Sequence, residues 1–335
     1  MGMGSKLYVS NAGSNKLSII SLLTNRVIKT VRVGPSPANI RLSPDGQYIF
    51  VCNMGGRTVS VLRAINNQIV THIRVGRGPN NIKFSREGFG YVTNFRDRTI
   101  SIIDPDNFKV IKTVVVGPRP RNVEFFGEKN LAYITIHGSN YISVLNTLSN
   151  RVVDRIRVGR GPLVTEITDD GQILYSTNER SNTVSVVDLN TNTTIKTLRV
   201  GRRPRIIALS QDRSQAYVTN RGGVTVSIIR TADNTVSNTV RVGPNPTNLA
   251  TSSDGKLLYV TLFRGRSVAV VQLDTLRVRY VPVGRKPFAV ELLDNGLRGY
   301  VTNMGSDTVS VFRTRDLKVF KTIEVGKSPR NIRAF

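Results

Sequence analysis

The sequence has little of several residue types on which common site chemistries depend. Its 335 residues include one cysteine, two histidines and no tryptophan. A single thiol excludes an internal disulfide framework and any multi-cysteine metal site. No stretch approaches the roughly 18 uninterrupted apolar residues of a membrane helix, so we expect no membrane insertion. The segment Met1-Gly2-Met3-Gly4-Ser5 has no basic region leading into an apolar core, so this chain shows no secretory signal.

Acidic residues are also scarce. The chain has 22 aspartate and glutamate residues against 48 lysine and arginine residues, which gives a formal net charge of +26. Charge of this size carries no information about the fold. It favours solubility and partners that are polyanionic.

What the sequence has in abundance is one repeat, which recurs every 41 or 42 residues. Eight Tyr-Val-Thr-Asn-like segments begin at Tyr8, Phe50, Tyr91, Tyr133, Tyr175, Tyr217, Tyr259 and Tyr300. Eight Val-Gly-x-x-Pro segments keep step with them, beginning at Val33, Val75, Val116, Val158, Val200, Val242, Val283 and Val325. These copies leave no residues for a second domain, so we predict one repeat array over residues 1–335.

Each repeat contains four strand signals separated by turn residues. In the second repeat they cover residues 50–53, 58–62, 68–75 and 80–84, and residues 58–62 alternate with period two. No window shows a sustained helical period. Four short antiparallel strands per repeat are typical of a propeller blade, so the predicted fold class is an all-β, eight-bladed β-propeller.

We label the strands of a blade A to D from the channel outward. The Tyr-Val-Thr-Asn strand is B, and the strand after the proline is strand A of the next blade. The chain starts at a strand B and ends after a strand A, so its two ends should complete one blade and remove free sheet edges. The tyrosine should pack between blades, the glycine should permit a sharp exit from strand D, and the proline should fix φ where strand A begins.

The eight Tyr-Val-Thr-Asn-like segments, with Val-Gly-x-x-Pro and Ser43-Pro44-Asp45-Gly46, resemble the YVTN family of β-propellers over essentially the whole chain. Members similar to this chain include archaeal surface-layer proteins and a bacterial periplasmic propeller that binds single-stranded DNA. Related propellers include lactonases and haem- or quinone-linked enzymes. The resemblance implies a secreted, periplasmic or cell-surface setting and is compatible with nucleic-acid binding. Fold alone does not fix function.

Strand alternation predicts where the charge lies, because D–A and B–C loops should share one face. The two residues before each loop proline and the one after it are strongly basic and include no acid. They contribute Arg77, Arg119, Arg121, Arg160, Arg202, Arg203, Arg205, Arg285, Lys286, Lys327 and Arg330. The chain's average lysine and arginine content would place about three basic residues at these positions. The densest group is Arg202, Arg203 and Arg205.

The B–C loops add more positive charge to the predicted basic face. They contribute Lys16, Arg57, Arg96, Arg98, Arg180, Arg221, Arg264 and Arg266, against the acids Asp97, Glu179 and Asp307. The same face offers candidate aromatic rings for base stacking, namely Phe95, Tyr141, Phe263 and Phe288. The A–B turns of the opposite face carry Asp45, Glu87, Glu128, Asp169, Asp170, Asp212, Asp254 and Asp294. We therefore expect a dipolar molecule with a basic ring around one channel mouth.

Candidates for catalysis are few. Cys52 lies in an apolar run, which predicts an inert buried thiol. His72 falls in a strand D at the rim, and His137 follows a strand B. A lactonase-like site would need acidic metal ligands in the channel, where strand A supplies Glu124, Glu166 and Glu291. Ion pairs between blades explain these glutamates as well. No haem-attachment or phosphate-cradling motif is present in the sequence, so we predict no cofactor.

The sequence therefore predicts a non-catalytic binding propeller, monomeric, that captures an anionic polymer on its basic face. Arginine's planar fork suits carboxylate or phosphate. Single-stranded nucleic acid and an acidic surface glycan are both candidate polymers. Two alternatives stay open, a surface-layer or protein–protein scaffold and a metal-dependent, lactonase-like hydrolase in the channel.

Overall fold

The computed structural model describes residues 6–126, 129–293 and 296–335. It is an all-β, eight-bladed β-propeller, and each blade is a sheet of four antiparallel strands. The predicted fold class is therefore confirmed. Within these residues, no helix has the length and hydropathy of a membrane span.

The strands follow the repeat, with A, B, C and D in chain order. The blade completed by both chain ends comprises β1 (Lys6–Asn11), β2 (Lys16–Ser21), β3 (Arg26–Arg32) and β32 (Pro329–Ala334). The next three blades are β4 (Pro37–Leu42), β5 (Tyr48–Asn53), β6 (Thr58–Arg63), β7 (Ile69–Arg74); β8 (Pro79–Phe84), β9 (Gly90–Asn94), β10 (Thr99–Asp104), β11 (Lys109–Val115); and β12 (Pro120–Phe126), β13 (Leu131–Ile136), β14 (Tyr141–Asn146), β15 (Arg151–Arg157).

The remaining four blades repeat the same order. They are β16 (Pro162–Ile167), β17 (Ile173–Asn178), β18 (Thr183–Asp188), β19 (Thr193–Arg199); β20 (Pro204–Leu209), β21 (Gln215–Asn220), β22 (Thr225–Arg230), β23 (Thr235–Arg241); β24 (Pro246–Thr251), β25 (Leu257–Leu262), β26 (Ser267–Gln272), β27 (Val278–Pro282); and β28 (Pro287–Leu292), β29 (Arg298–Asn303), β30 (Thr308–Arg313), β31 (Val319–Glu324). Every strand A begins at its proline, as predicted.

The chain divides into two compact units. The first runs up to residue 165 and includes residues 333–335, and the second covers residues 166–332. In the first unit β4 contacts β8 and β8 contacts β12, and in the second β20 contacts β24 and β24 contacts β28. Strand A is therefore the innermost strand of a blade within each unit. The single-domain organisation stays a prediction.

The core of each unit is built from strands B and C. Their side chains are buried in almost every position. Strand D is mostly exposed or half-buried, with a single buried residue near its end in most blades, such as Val31 and Ile156. The tyrosine of strand B packs between blades, as Tyr8 does against Leu17, Ile40 and Val51. This confirms the role predicted for the tyrosine. The chain ends meet in the predicted blade, where the Phe335 amide donates to the Lys6 carbonyl (3.1 Å).

The last residue of strand B forms a buried polar unit with strand C. In the second blade the Asn53 side-chain amide donates to Thr58 Oγ1 (3.0 Å) and Ser60 Oγ (2.9 Å). The same pair of bonds is made by Asn94, Asn178, Asn220 and Asn303. The amide nitrogen of each asparagine thereby donates to two hydroxyl groups of the neighbouring strand, whereas its Oδ1 is buried with no hydrogen-bond partner among the residues that the structure describes.

This buried amide explains the glycine of Val-Gly-x-x-Pro. A Cβ atom on Gly34 would lie 2.5 Å from Asn53 Nδ2, and one on Gly201 would lie 2.6 Å from the Asn220 side chain. Neither glycine has a positive φ, so the expected reason, a sharp exit that only glycine permits, is wrong for them. Close approach of the amide requires glycine there.

Two blades lack this asparagine and use the glycine differently. Ile136 and Leu262 stand in its place, and the matching glycines, Gly117 and Gly243, have φ values of 130° and 119°. Ala269 also replaces the strand C serine beside Leu262. The predicted conformational role of the glycine is thus correct in these two blades.

In some blades the tyrosine hydroxyl of strand B links neighbouring blades, whereas Tyr217 Oη donates to Gln215 of its own strand. Tyr8 Oη donates to Asn67 Oδ1 (2.8 Å) and Tyr91 Oη to Asn150 Oδ1 (3.0 Å). Both asparagines lie in a C–D turn in the left-handed backbone region, which asparagine tolerates better than most residues. Burial raises the pKa of Tyr8 to about 12. The hydroxyl therefore stays protonated and able to donate.

We expect Tyr8→Phe to lower the free energy of unfolding by about 1 to 3 kcal/mol, because Asn67 Oδ1 would be left buried without its donor. Urea denaturation measures this difference. Tyr280→Phe is the matched control, since Tyr280 is half-exposed. Equal stability of Tyr8→Phe and wild type would show that the hydroxyl bond contributes nothing.

Candidate anion-binding face

The D–A and B–C loops of a blade lie together and hydrogen-bond to each other. In the second unit the Arg221 amide donates to the Arg203 carbonyl (3.1 Å), and the first unit repeats this arrangement. The A–B and C–D loops meet at the other end of the strands, where the Leu273 amide donates to the Lys256 carbonyl (2.9 Å). The prediction of which loops share a face is confirmed within each unit.

The D–A loop has one fixed backbone conformation. The residue before its proline has a φ between 49° and 69° in every repeat, at Ser36, Gly78, Arg119, Gly161, Arg203, Asn245, Lys286 and Ser328. Glycine and asparagine adopt this conformation easily, but arginine and lysine do so at a cost of roughly 1–2 kcal/mol. Strain of this kind often marks a functional constraint. Basic side chains at this position therefore favour a role for their charge.

The predicted basic residues fall into two groups by exposure. Those before the proline are exposed, namely Arg77, Arg119, Arg160, Arg202, Arg203, Arg285, Lys286 and Lys327. Those after it lie in strand A and are half-buried, namely Arg121, Arg205 and Arg330. The first group can meet a ligand from solvent, while the second lies deeper.

Two of these arginines already have a carboxylate partner on the same face. Arg77 forms an ion pair with Asp97, and Arg203 Nη2 lies 2.7 Å from Glu179 Oε1. Burial opposes ionisation of Asp97, but hydrogen bonds from Arg77 outweigh it and hold the pKa of Asp97 below its usual value. The charge available to a ligand is smaller here than the sequence predicted.

In the second unit, two arginines pack on two phenylalanine rings, and we call these four residues the arginine–phenylalanine cluster. The Arg205 guanidinium lies 5.0 Å from the centre of the Phe288 ring, and that of Arg221 lies 5.8 Å from the centre of Phe263. The two rings meet edge to face with centres 6.4 Å apart. Cation–π contact and packing hold these guanidinium groups in fixed positions.

Positive charge is crowded around this cluster. Burial lowers the pKa of Arg221, Glu179 raises it, and the neighbouring charges of Arg203, Arg330 and Arg264 lower it further. Burial also lowers the pKa of Arg330. Arg330 Nε is buried and has no hydrogen-bond partner among the residues that the structure describes. An anion here would relieve a repulsion that one carboxylate only partly offsets.

The first unit has a smaller counterpart. The Arg121 guanidinium lies 4.9 Å from the centre of the Phe95 ring, and its Nη1 donates to Asn80 Oδ1 (2.9 Å). The Tyr141 ring lies 5.2 Å from the Arg155 guanidinium and packs against the core. Of the four aromatic residues expected to stack on bases, each is half-buried and has a guanidinium beside it. Their first role is therefore to position arginine.

The channel glutamates lie at equivalent positions of β12, β16 and β28. Glu124 forms an ion pair with Lys83 of the neighbouring blade and accepts a hydrogen bond from Asn122 Nδ2 (3.0 Å). The interblade ion pair expected for Glu124 is confirmed. Over residues 6–126, 129–293 and 296–335, no group of three histidine, cysteine, aspartate or glutamate residues could hold a metal ion. Glu128 and Asp294 lie outside the described residues.

The remaining candidates lie apart from this face or inside the fold. Cys52 is a buried free thiol whose pKa is raised well above its usual range by burial, as predicted. His72 is exposed on strand D, with Nδ1 2.9 Å from Ser60 Oγ. His137 is buried, and its backbone amide donates to the Arg119 carbonyl (3.1 Å).

The fold and the arginine-rich loops define an eight-bladed β-propeller with a basic loop face in each unit. The description "Lactonase, 7-bladed beta-propeller" belongs to a family model that matches residues 34–194, just under half of the chain. The chain differs from that description in having eight blades. No curated protein sequence matches it. The YVTN-repeat resemblance stays a prediction.

Solved structures with the same fold cover most of the chain. Dihydro-heme d1 dehydrogenase NirN in complex with DHE is 15% identical, with 99% of this chain and 76% of that chain covered and a TM-score of 0.86. AztD from Citrobacter koseri is 14% identical, with coverages of 98% and 96% and a TM-score of 0.74. Kuenenia stuttgartiensis hydrazine synthase is 23% identical, with coverages of 83% and 95% and a TM-score of 0.66. Identities this low show the fold alone.

Proposed function

We propose that this protein is a non-catalytic binding propeller that captures an anionic polymer on its D–A and B–C loops. The observation that carries the proposal is the arginine–phenylalanine cluster of the second unit, with exposed Arg202, Arg285 and Lys286 in the neighbouring loops. Phosphate and carboxylate groups are the anions that such arginines recognise by paired hydrogen bonds. Single-stranded nucleic acid and an acidic surface glycan both supply such groups in a row.

The strained loop conformation supports this function. Arg119, Arg203 and Lys286 lie in the left-handed region, where the other repeats have glycine, asparagine or serine. A basic side chain at this position lowers the stability of the fold. We infer that it is kept because its charge binds an anion. The backbone bonds between the loops fix where these side chains begin, so little order has to be gained on binding.

A lactonase-like hydrolase is a second candidate, because a lactonase family model matches residues 34–194. One of its three candidate metal ligands, Glu124, argues against it. The Glu124 carboxylate is bound by Lys83 and Asn122 and is not open toward a metal. We therefore place the binding function first.

We expect the double variant Arg202→Glu/Arg285→Glu to weaken binding of the polymer at least about tenfold at low salt. For single-stranded DNA, the slope of the logarithm of the binding constant against the logarithm of the salt concentration should also fall in magnitude. The decrease should be about 0.7 for each phosphate that the variant no longer binds. The probes are single-stranded DNA, duplex DNA and an acidic glycan, titrated by fluorescence anisotropy across a salt series. Arg203 is left unchanged because Glu179 already binds it.

The matched control is Arg277→Glu/Arg315→Glu, which reverses two exposed charges in C–D loops. Both double variants carry a net charge four units below the wild type's +26, so a general charge effect would weaken both equally. Equal losses, or no binding of any probe by the wild type, would contradict the proposal. Binding that persists at high salt would point instead to a protein–protein scaffold.

A further inference from the structure

The arginines around the arginine–phenylalanine cluster suit a more highly charged group than one unit of a polymer backbone. Arg203, Arg264 and Arg330 all lie close enough to Arg221 to lower its pKa, and one carboxylate, Glu179, opposes them. A phosphodiester or a carboxylate carries a single negative charge. A phosphomonoester carries about two above pH 7, with three oxygens that accept hydrogen bonds.

The arginines of this site are less exposed than those before the loop prolines. Arg330 and Arg205 lie in strand A, one residue beyond the loop proline, and both are half-buried. Arg221 is half-buried in the adjoining B–C loop. Half-buried guanidinium groups are reached more easily by a small terminal group than by the middle of a polymer chain, which suits the exposed arginines better.

The phenylalanines fix the site in advance. Phe288 and Phe263 touch each other, and each has a guanidinium on its ring. The two arginines therefore lose little side-chain freedom when an anion binds, which favours tight recognition of a small group.

We propose that Arg205 and Arg221, held by the Phe288 and Phe263 rings, bind a phosphomonoester, the terminal phosphate of a polymer or of a small molecule. This rests on the proposed function and makes the cluster its anchor for a dianionic end group. The Phe263 and Phe288 rings position the arginines, and Glu179 competes with the ligand for their charge.

The test compares phenyl phosphate with phenyl sulfate by isothermal titration calorimetry. The two have the same shape, but the sulfate carries one charge and the phosphate about two once the pH exceeds its second pKa, about 6. We expect phenyl phosphate to bind about tenfold more tightly at pH 7.5. The ratio of the two affinities should shrink toward one at pH 5, where the phosphate holds one proton and carries a single negative charge while arginine stays charged.

Variants separate binding from folding. Arg221→Gln should weaken phenyl phosphate binding about tenfold, whereas Glu179→Gln should tighten it about threefold by removing the competing carboxylate. A folding defect cannot produce tighter binding. A gain in affinity with Glu179→Gln would therefore show that the arginines bind the phosphate directly. Arg277→Gln, at an exposed arginine of a C–D loop away from the proposed face, should change the affinity by less than about twofold.

A second arm finds the source of the phosphate. A 5′-phosphorylated oligonucleotide should bind more tightly than its 5′-hydroxyl form if a polymer end is the ligand, and equally if a small phosphate ester is. Equal affinity for phenyl phosphate and phenyl sulfate, or no gain with Glu179→Gln, would overturn the inference. The proposed function would survive that result if Arg202→Glu/Arg285→Glu still weakened polymer binding.

Discussion

Replacing Gly299 with leucine should lower the free energy of unfolding by about 3 kcal/mol or more, because the new side chain has no space. Gly299 is paired across the sheet with Phe312, which is fully buried. A Cβ atom on Gly299 would lie 2.1 Å from Phe312 Cζ. Interiors are packed as densely as organic crystals, so the ring has to leave its position before any side chain fits.

A second substitution in the same chain should restore most of this loss. The equivalent pair in the neighbouring blade is Leu258 with Val271, both fully buried. Gly299→Leu/Phe312→Val copies that pair. Phe312→Val alone should cost about 2 to 4 kcal/mol, since it leaves a cavity. In the double variant the leucine fills the cavity, and the two costs should not add.

This double-mutant cycle is measured by urea denaturation of four proteins: the wild type, Gly299→Leu, Phe312→Val and the double variant. A coupling energy of about 2 kcal/mol or more in the stabilising direction is expected. Gly223→Leu is the matched control for inserting a large side chain, since the nearest atom to its added Cβ is 3.7 Å away. Additive losses would show that Gly299 and Phe312 do not compensate each other's volume, and that this glycine is needed for another reason.

The strand order could be predicted from the sequence because the blade is local. Strands B, C and D follow one another within about 30 residues, and their alternation and turns repeat eight times. The meeting of the chain ends followed from counting strands, since β32 is a strand A without a blade of its own. The pairing of Gly299 with Phe312 could not be predicted, because it depends on the register between strands.

The reason for the glycine before each D–A loop could not be fully predicted from the sequence either. Its motif suggested a turn, and at Gly117 and Gly243 the backbone does require glycine. At Gly34 glycine is required because the Asn53 side-chain amide, 19 residues further along the chain, lies where a Cβ atom would be. A signal existed in the sequence, because the repeats that lack the strand B asparagine also depart from the usual strand C residues.

The candidate site was predicted as a list of charges but not as an arrangement. Alternation of strands placed the arginines on one face, which the loop hydrogen bonds bear out within each unit. Which arginines meet phenylalanine depends on side chains from different repeats, one or two repeats apart. Arg205 of β20 reaches Phe288 of β28, and the intervening position holds Thr247, a small buried residue. A residue as large as phenylalanine at position 247 would leave less space between them.

The second large effect concerns the buried amide of strand B. Asn220 is fully buried and donates to Thr225 Oγ1 and Ser227 Oγ, both at 3.0 Å. Asn220→Asp keeps the shape but places a carboxylate in a buried site where the side chain's hydrogen-bond partners are two neutral hydroxyl groups. At pH 7.5 we expect a loss of about 3 to 5 kcal/mol in the free energy of unfolding, the usual cost of an uncompensated buried charge.

The pH dependence of that loss identifies its cause. Burial should raise the folded-state pKa of Asp above its unfolded value of about 3.9, so the folded state holds its proton over a wider pH range. The stability of the variant relative to wild type should therefore be highest below pH 4. It should fall by up to about 1.4 kcal/mol per pH unit until the pH passes the folded pKa. Urea denaturation between pH 4 and 8 follows this difference, with exposed Asn66→Asp as the control. A deficit that stayed constant with pH would mean that lost donor geometry, and not buried charge, makes asparagine necessary in this strand.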